Sequence, residues 1–148
     1  MASHLLGTRL LFDHLKTGGT NSRLLQRKLR DIAVSAVSLE WILADAEKAQ
    51  LSPHARLKWR TNVVRFRERL TSEGGGVLPL SLRALEHWGR LQLLELKSTR
   101  SGVETELATE ERLVIATAAA NGLIYLCDPE TWLEQLQHEI GLASEVVP

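Results

Sequence analysis

Apolar residues in this chain occur in two alternating arrangements, short unbroken runs and longer stretches that repeat every three or four positions, which predict strands and helices in turn. Residues 3–7 (SHLLG) read as a short buried strand. The following LLFDHLK puts Leu10, Leu11, His14 and Leu15 on one helical face. TGGTNS is a turn, and Asn21 or Ser22 is placed to cap a second helix with Leu24, Leu25, Leu29 and Ile32 as its apolar stripe. IAVSAV, at 32–37, is rich in β-branched residues and suits a buried parallel strand.

Ser38 is placed as the N-cap of LEWILADAEKAQ, while Ser52 followed by Pro53 opens a long helix to about Leu70, ended by SEGGG. VLPL at 77–80 predicts a third strand. Ser81 then caps a helix to about Lys97 with Leu82, Leu85, Trp88, Leu91 and Leu94 or Leu96 facing inward. STRSGVETE reads as a polar loop. TEERLVIATAAAN is apolar through its middle and so must be buried, and Asn121-Gly122 stops it. LIYLCD is a fourth strand, Pro129 opens a last helix carrying Trp132, Leu133 and Leu136, and Gly141 closes it. This alternation predicts an α/β fold of three αβα layers around a central parallel sheet of about four or five strands, with right-handed crossovers. Residues 1–148 form a single domain in this reading, without repeat or linker.

Composition adds mainly exclusions. Eighteen basic residues balance eighteen acidic ones, so no global field recruits nucleic acid. Locally the balance differs: Arg56, Lys58, Arg60, Arg65, Arg67 and Arg69 crowd one helix against a single acid, Glu68, as a solvated face or a candidate RNA-binding run. One cysteine, Cys127, excludes an internal disulfide framework and a Cys-rich zinc site and fits the cytoplasm. Gly7 and Arg9 interrupt the early apolar run, leaving it too short for a signal peptide or a membrane span. The histidines lack zinc-hydrolase spacing, and Gly18-Gly19 and Gly74-Gly75-Gly76 lack the Lys-Ser/Thr of a phosphate loop.

Ligands of a parallel sheet sit beyond the carboxyl ends of its strands. Four segments arrive there: Gly7-Thr8-Arg9, Ser38-Leu39-Glu40-Trp41, Glu110-Glu111 and Cys127-Asp128. Each also has an ordinary structural use. Acids in a first helical turn complement the macrodipole, Asp128 and Thr8 are potential caps, and Trp41 buries area by packing.

In order, LLGTRLLFDHLK, AVSAVSLEWILADAEKA, VLPLS, EERLVIATAAANGL and IYLCD resemble the conserved blocks of PIN domains, the fold of VapC-type toxins and plasmid-stability proteins. The resemblance covers nearly the whole chain. It implies a toxin–antitoxin module, a homodimer, a small antitoxin whose tail lies over the site, and three or four carboxylates around Mg²⁺ or Mn²⁺ that activate water against RNA. Carried over residue by residue, the site is depleted: Gly7 falls at the first Asp, Arg9 at the following Asn, and Trp41 at the second acid. Glu40 comes one residue early, about 100° around a helix. Glu111 falls at the third acid and Asp128 one residue before the last.

The resemblance therefore assigns metal binding to Glu111 and Asp128 and catalysis to these with Glu40, with Glu110 and Asp13 as helpers and Gly7, Thr8, Arg9 and Trp41 as altered positions. Either Mg²⁺ or Mn²⁺ binds weakly, or Arg9 pairs with Glu111 or Asp128 and takes the cation's place. The expected function is a VapC-like protein with impaired or lost ribonuclease activity that acts by binding RNA or protein. The alternative is an active Mg²⁺-dependent ribonuclease using the remaining acids.

Overall fold

The structure, a computed structural model, describes residues 2–18, 24, 27–48, 51–98 and 102–147. Its elements in chain order are β1 (His4–Leu6), α1 (Thr8–Lys16), a 3-10 turn (Leu29–Asp31), β2 (Ile32–Ser35), α2 (Ala36–Lys48), α3 (Pro53–Ser72) and β3 (Gly76–Leu78). There follow α4 (Leu82–Leu91), β4 (Lys97–Ser98), β5 (Thr105–Glu106), α5 (Thr109–Ala120), β6 (Ile124–Cys127), α6 (Leu133–Ile140) and β7 (Ser144–Val146). The caps expected at Asn21 or Ser22, and Leu25, lie outside the described residues; Leu24 is buried.

Five strands form one parallel sheet in the order β3-β2-β1-β6-β7. Successive strand residues point to opposite faces, and the core divides accordingly. Leu5, Ala33, Tyr125 and Cys127 join the cluster under α4, α5 and α6, whereas Leu6, Ile32, Val34 and Leu126 join the one under α1, α2 and α3. The outcome is the three-layer αβα arrangement expected from the alternation of elements.

Local chemistry explains where several elements begin and end. Ser52 Oγ accepts from the Ala55 amide at 3.2 Å beside Pro53, and Ser81 Oγ accepts from the Ala84 amide at 3.1 Å. Gly141 ends α6 at φ 68°, a left-handed conformation that glycine adopts without penalty. At Gly75 a Cβ would collide with the Leu29 carbonyl and with Leu70 Cδ1, so the close seating of the α3–β3 turn requires glycine.

Other expectations are corrected. The first strand stops at Leu6, and Gly7 becomes the N-cap of α1, a role open to Thr8 in the sequence. The IAVSAV strand ends at Ser35, whose Oγ accepts from the Val37 amide at 3.1 Å and starts α2 early. Ser38 is consequently no cap: it lies inside the helix, buried, with its Oγ 2.9 Å from Thr8 Oγ1. Helix α4 ends at Leu91 instead of near Lys97 because Arg112, 2% exposed, claims the carbonyls around its end. The guanidinium donates to Leu91 and Leu94, to Leu107 at 3.2 Å, and pairs with Glu106 at 3.3 Å.

Leu82 and Leu85 do not face inward, being 76% and 40% exposed; Ala84 and Leu91 carry the buried face. Part of the expected polar loop is the antiparallel β4–β5 hairpin. Pro129 does not open the last helix, which starts at Leu133, so Asp128 is not its cap. A fifth strand, β7, follows Gly141 and pairs with β6. Among the described residues no helix is long and apolar enough to cross a membrane.

Candidate functional site

A cleft of about 790 Å³ opens beyond the carboxyl ends of β1 and β6. Helices α1 and α2 form one wall, and the other comes from the first turn of α5, the β4–β5 hairpin and the residues after β6. Gly7, Thr8, Arg9, Trp41, Glu111 and Asp128 all line it, so the structure gathers in one place most of the residues that the sequence singles out. Among the described residues seven carboxylates line this cleft, from Asp13, Asp45, Glu106, Glu110, Glu111, Asp128 and Glu130, against two cations, Arg9 and Lys16. Such an excess of one sign in a concave site focuses a negative potential.

Glu111 sits at the entrance of α5 and reaches across to the N-terminus of α1. Its Oε1 accepts a short hydrogen bond from the Tyr125 hydroxyl and a long one, 3.4 Å, from the Thr8 amide. Gly7, directly before Thr8, has no side chain to cap α1, and the Glu111 carboxyl supplies an acceptor in its stead. Burial pushes the Glu111 pKa up, against the opposing pull of its hydrogen bonds with Thr8 and Tyr125. Burial and the neighbouring Glu111 charge push Tyr125 well above the usual phenol value. The space at Gly7 is tight: a Cβ there would lie 3.1 Å from Tyr125 Oη, 3.2 Å from the Leu126 carbonyl and 3.4 Å from Glu111 Oε1, so these neighbours would have to give by a few tenths of an ångström.

Arg9 pairs with Asp128, Nε to Oδ2 at 3.7 Å, with the guanidinium at the exposed rim and the carboxylate more deeply set. Between the two acids considered in the sequence, the arginine takes Asp128. Trp41 lines the cleft at 38% exposure, and Asp45, one helical turn further along α2, lines it too. Glu40 does not. It projects from α2 onto a separate groove shared with Glu47, Arg60 and Arg67, so the 100° rotation foreseen from the register separates it from Glu111 and Asp128.

The six cations of α3 do not make one continuous stripe. Helical spacing places Arg56, Arg60 and Arg67 on one flank of the buried Val63–Phe66–Leu70 ridge, and Lys58, Arg65 and Arg69 on the other. On the first flank Glu47 pairs with Arg60 and, at 3.9 Å, with Arg56. On the second, Arg69 pairs with Glu73 at 3.1 Å. None of the six lines the acidic cleft.

The residues present do not fit the three- or four-carboxylate metal centre that the resemblance implies. Position 7 offers no ligand, Glu111 is held by Tyr125 and Thr8, and Asp128 faces a guanidinium. Among the described residues no three His, Cys, Asp or Glu side chains converge as a metal site. Sequence reasoning missed Tyr125, Glu106 and Glu130. Only Asp45 had a readable signal, four residues beyond Trp41 on the same helix face.

No protein-family model matches the sequence, and no curated protein matches it. Solved structures do. A chain of the DNA-bound VapBC from Salmonella typhimurium superposes with a TM-score of 0.71 at 20% identity, with 100% of both chains covered. For VapBC2 from Rickettsia felis, bound to a DNA fragment from their promoter, the TM-score is 0.67 at 14% identity, covering 97% of each chain. VapBC-5 from Mycobacterium tuberculosis, a member of the VapBC family of toxin-antitoxin systems, gives 0.54 at 16%, covering 99% of this chain and 98% of that one. Along its whole length, therefore, the chain has the PIN-like three-layer fold shared with chains of these VapBC structures.

Proposed function

We propose that this chain is a VapC-like PIN-domain protein of a toxin–antitoxin module whose metal-dependent ribonuclease activity is impaired or lost, and which acts by binding. The observation that carries this reading is the state of the two remaining acids. Glu111 is engaged by Tyr125 and the start of α1, and Asp128 by Arg9, where an active centre would present both to a cation. The fold shared with VapBC structures supports an antitoxin-like protein partner. The negative cleft favours such a partner over RNA, whose phosphates it would repel without a bridging cation. Self-association and a cytoplasmic setting belong to the same proposal.

The second reading, an active Mg²⁺-dependent ribonuclease using Glu111, Asp128 and a helper acid, draws support from the seven carboxylates around the cleft. Mg²⁺ is commonly held by one or two protein carboxylates plus water and phosphate. RNA cleavage assays with Mg²⁺ and Mn²⁺ decide between the two, run on the wild type and on the Gly7→Asp/Trp41→Glu double variant. Activity confined to the double variant supports the impaired reading. Robust wild-type cleavage abolished by Glu111→Gln establishes the active one.

A further inference from the structure

At the amino end of β1, the end of the sheet opposite the cleft, three side chains join in a hydrogen-bonded chain. Ser3 Oγ lies 2.7 Å from His4 Nδ1, and His4 Nε2 lies 2.7 Å from Glu145 Oε2. Glu145 belongs to β7, so the contact spans almost the whole sequence. The sheet brings it about. Alternation puts His4 on the face of Leu6, and the pairing of Leu6 with Leu126 and of Leu126 with Glu145 carries the carboxylate to that same face. Arg27 Nη2 donates to the other carboxylate oxygen at 2.5 Å and fixes its orientation.

These partners decide where the protons lie. A carboxylate only accepts, so in the neutral imidazole Nε2 carries the proton and Nδ1 presents its lone pair to the Ser3 hydroxyl. The hydrogen bonds from Arg27 and His4 hold the Glu145 carboxyl below its ordinary value, which keeps it an acceptor at neutral pH. At 2.7 Å the imidazole takes the serine proton in preference to the Asp31 carbonyl, 3.4 Å away. Ser3 is exposed and His4 half-buried, so the hydroxyl is open to a reagent from solvent.

We propose that Ser3, His4 and Glu145 form a nucleophilic serine site that hydrolyses small activated esters, separate from the cleft and independent of whether the cleft is catalytic. Ser3 Oγ adds to the ester carbonyl while its proton passes to His4 Nδ1. Collapse breaks the bond to the leaving oxygen, which departs with that proton and leaves Ser3 acylated. Water, giving a proton to the same nitrogen, then releases the acid and restores the hydroxyl. Glu145 is a positioning residue that holds the tautomer. What surrounds the serine sets the substrate class. The Ser3 and Ile124 amides are committed to the Asp31 and Ser3 carbonyls at 3.0 and 2.9 Å, so neither is free to hold an oxyanion. Esters of acidic alcohols, whose leaving group departs without that help, are therefore the ones to react.

Incubation of the full chain with p-nitrophenyl acetate and with a fluorophosphonate probe tests it, the modified residue being located by mass spectrometry. Wild type should release p-nitrophenolate over many turnovers and carry the probe on Ser3. Ser3→Ala should abolish the labelling and lower turnover about a hundredfold, with the circular dichroism melt unchanged. Glu145→Gln, verified as folded by the same melt, should lower kcat at least tenfold and leave KM as it is, whereas a carboxylate that merely ties β7 to His4 would move the melt alone. Absence of label on Ser3 in the folded wild type, or labelling that His4→Gln leaves unchanged, overturns the site.

Discussion

Replacing Gly7 with Asp puts back the carboxylate that the PIN resemblance expects, and the structure says what it meets. The backbone at Gly7 has φ −63° and ψ 151°, open to any residue, so no conformational strain arises. As an N-cap, Asp gains only a few tenths of a kcal/mol over Gly, with about 0.3–1 kcal/mol more from the helix dipole. Against this, the new Cβ stands 3.1 Å from Tyr125 Oη and 3.4 Å from Glu111 Oε1. A carboxylate there would sit about 4 Å from that of Glu111, and at an effective dielectric constant of about 20 the two repel by roughly 4 kcal/mol. The repulsion wins. Proton uptake by Glu111, whose pKa burial already raises, trims the deficit, leaving a net loss of about 2–3 kcal/mol at pH 7.5.

For a domain of this size that corresponds to a fall in Tm of roughly 5–10 °C. Differential scanning fluorimetry should show this fall without metal, a smaller one at pH 5, and recovery when millimolar Mn²⁺ is added to Gly7→Asp. The wild type should respond to Mn²⁺ much less. A variant as stable as wild type in the absence of divalent ions at pH 7.5 would refute the claim that the Glu111–Tyr125 pair crowds position 7 and repels a carboxylate there.

Because the folded-state pKa of Glu111 is raised, the native state holds its proton more tightly than the unfolded chain does, so wild-type stability should fall as pH rises from the ordinary carboxyl value through the folded one. Glu111→Gln keeps an acceptor for Tyr125 and should flatten that dependence; urea melts at pH 5 and 7.5 measure it, and an unchanged slope counts against a desolvated carboxyl. Arg112→Ala strips donors from the carbonyls of Leu91, Leu94 and Leu107 and should cost about 3–5 kcal/mol in urea unfolding, with the α4–α5 junction loosened in hydrogen exchange; a loss under about 1 kcal/mol would show the clamp to be dispensable.

Much of the architecture was legible because its signals are local. Ser52-Pro53, Ser81, Asn121-Gly122 and Gly141 mark helix ends through bonds or dihedrals reaching only a few residues away. Where two signals compete, the reading failed. Ser35 and Ser38 can each cap a helix, and the choice falls to the strand, which must end where β1 and β3 stop pairing with it. Asp128-Pro129 resembles a helix start, yet α6 begins only at Leu133. The α4 pattern correctly revealed an apolar face but not which half the core would cover, since periodicity fixes a face and only packing fixes its partner.

In the site, block resemblance brought Gly7, Arg9, Glu111 and Asp128 to one cleft, and the helical register set Glu40 apart from them. The Tyr125–Glu111 bond was beyond reach. It joins a strand to the first turn of the preceding helix, and nothing in the intervening sequence reports where either side chain will point.

The strand order also dictates when this site can exist during synthesis. β1 lies at the middle of the sheet, bonded to β2 on one side and to β6 on the other. As the chain leaves the ribosome, β2 and β3 can settle against β1, but the opposite edge of β1 stays open until Ile124–Cys127 emerges. Glu111, Tyr125 and Asp128 come from the same late segment, and Gly7 and Arg9 from the beginning. The cleft thus cannot form until β6 and the residues after it have emerged, and until then a nascent chain presents one open edge of β1 and no site.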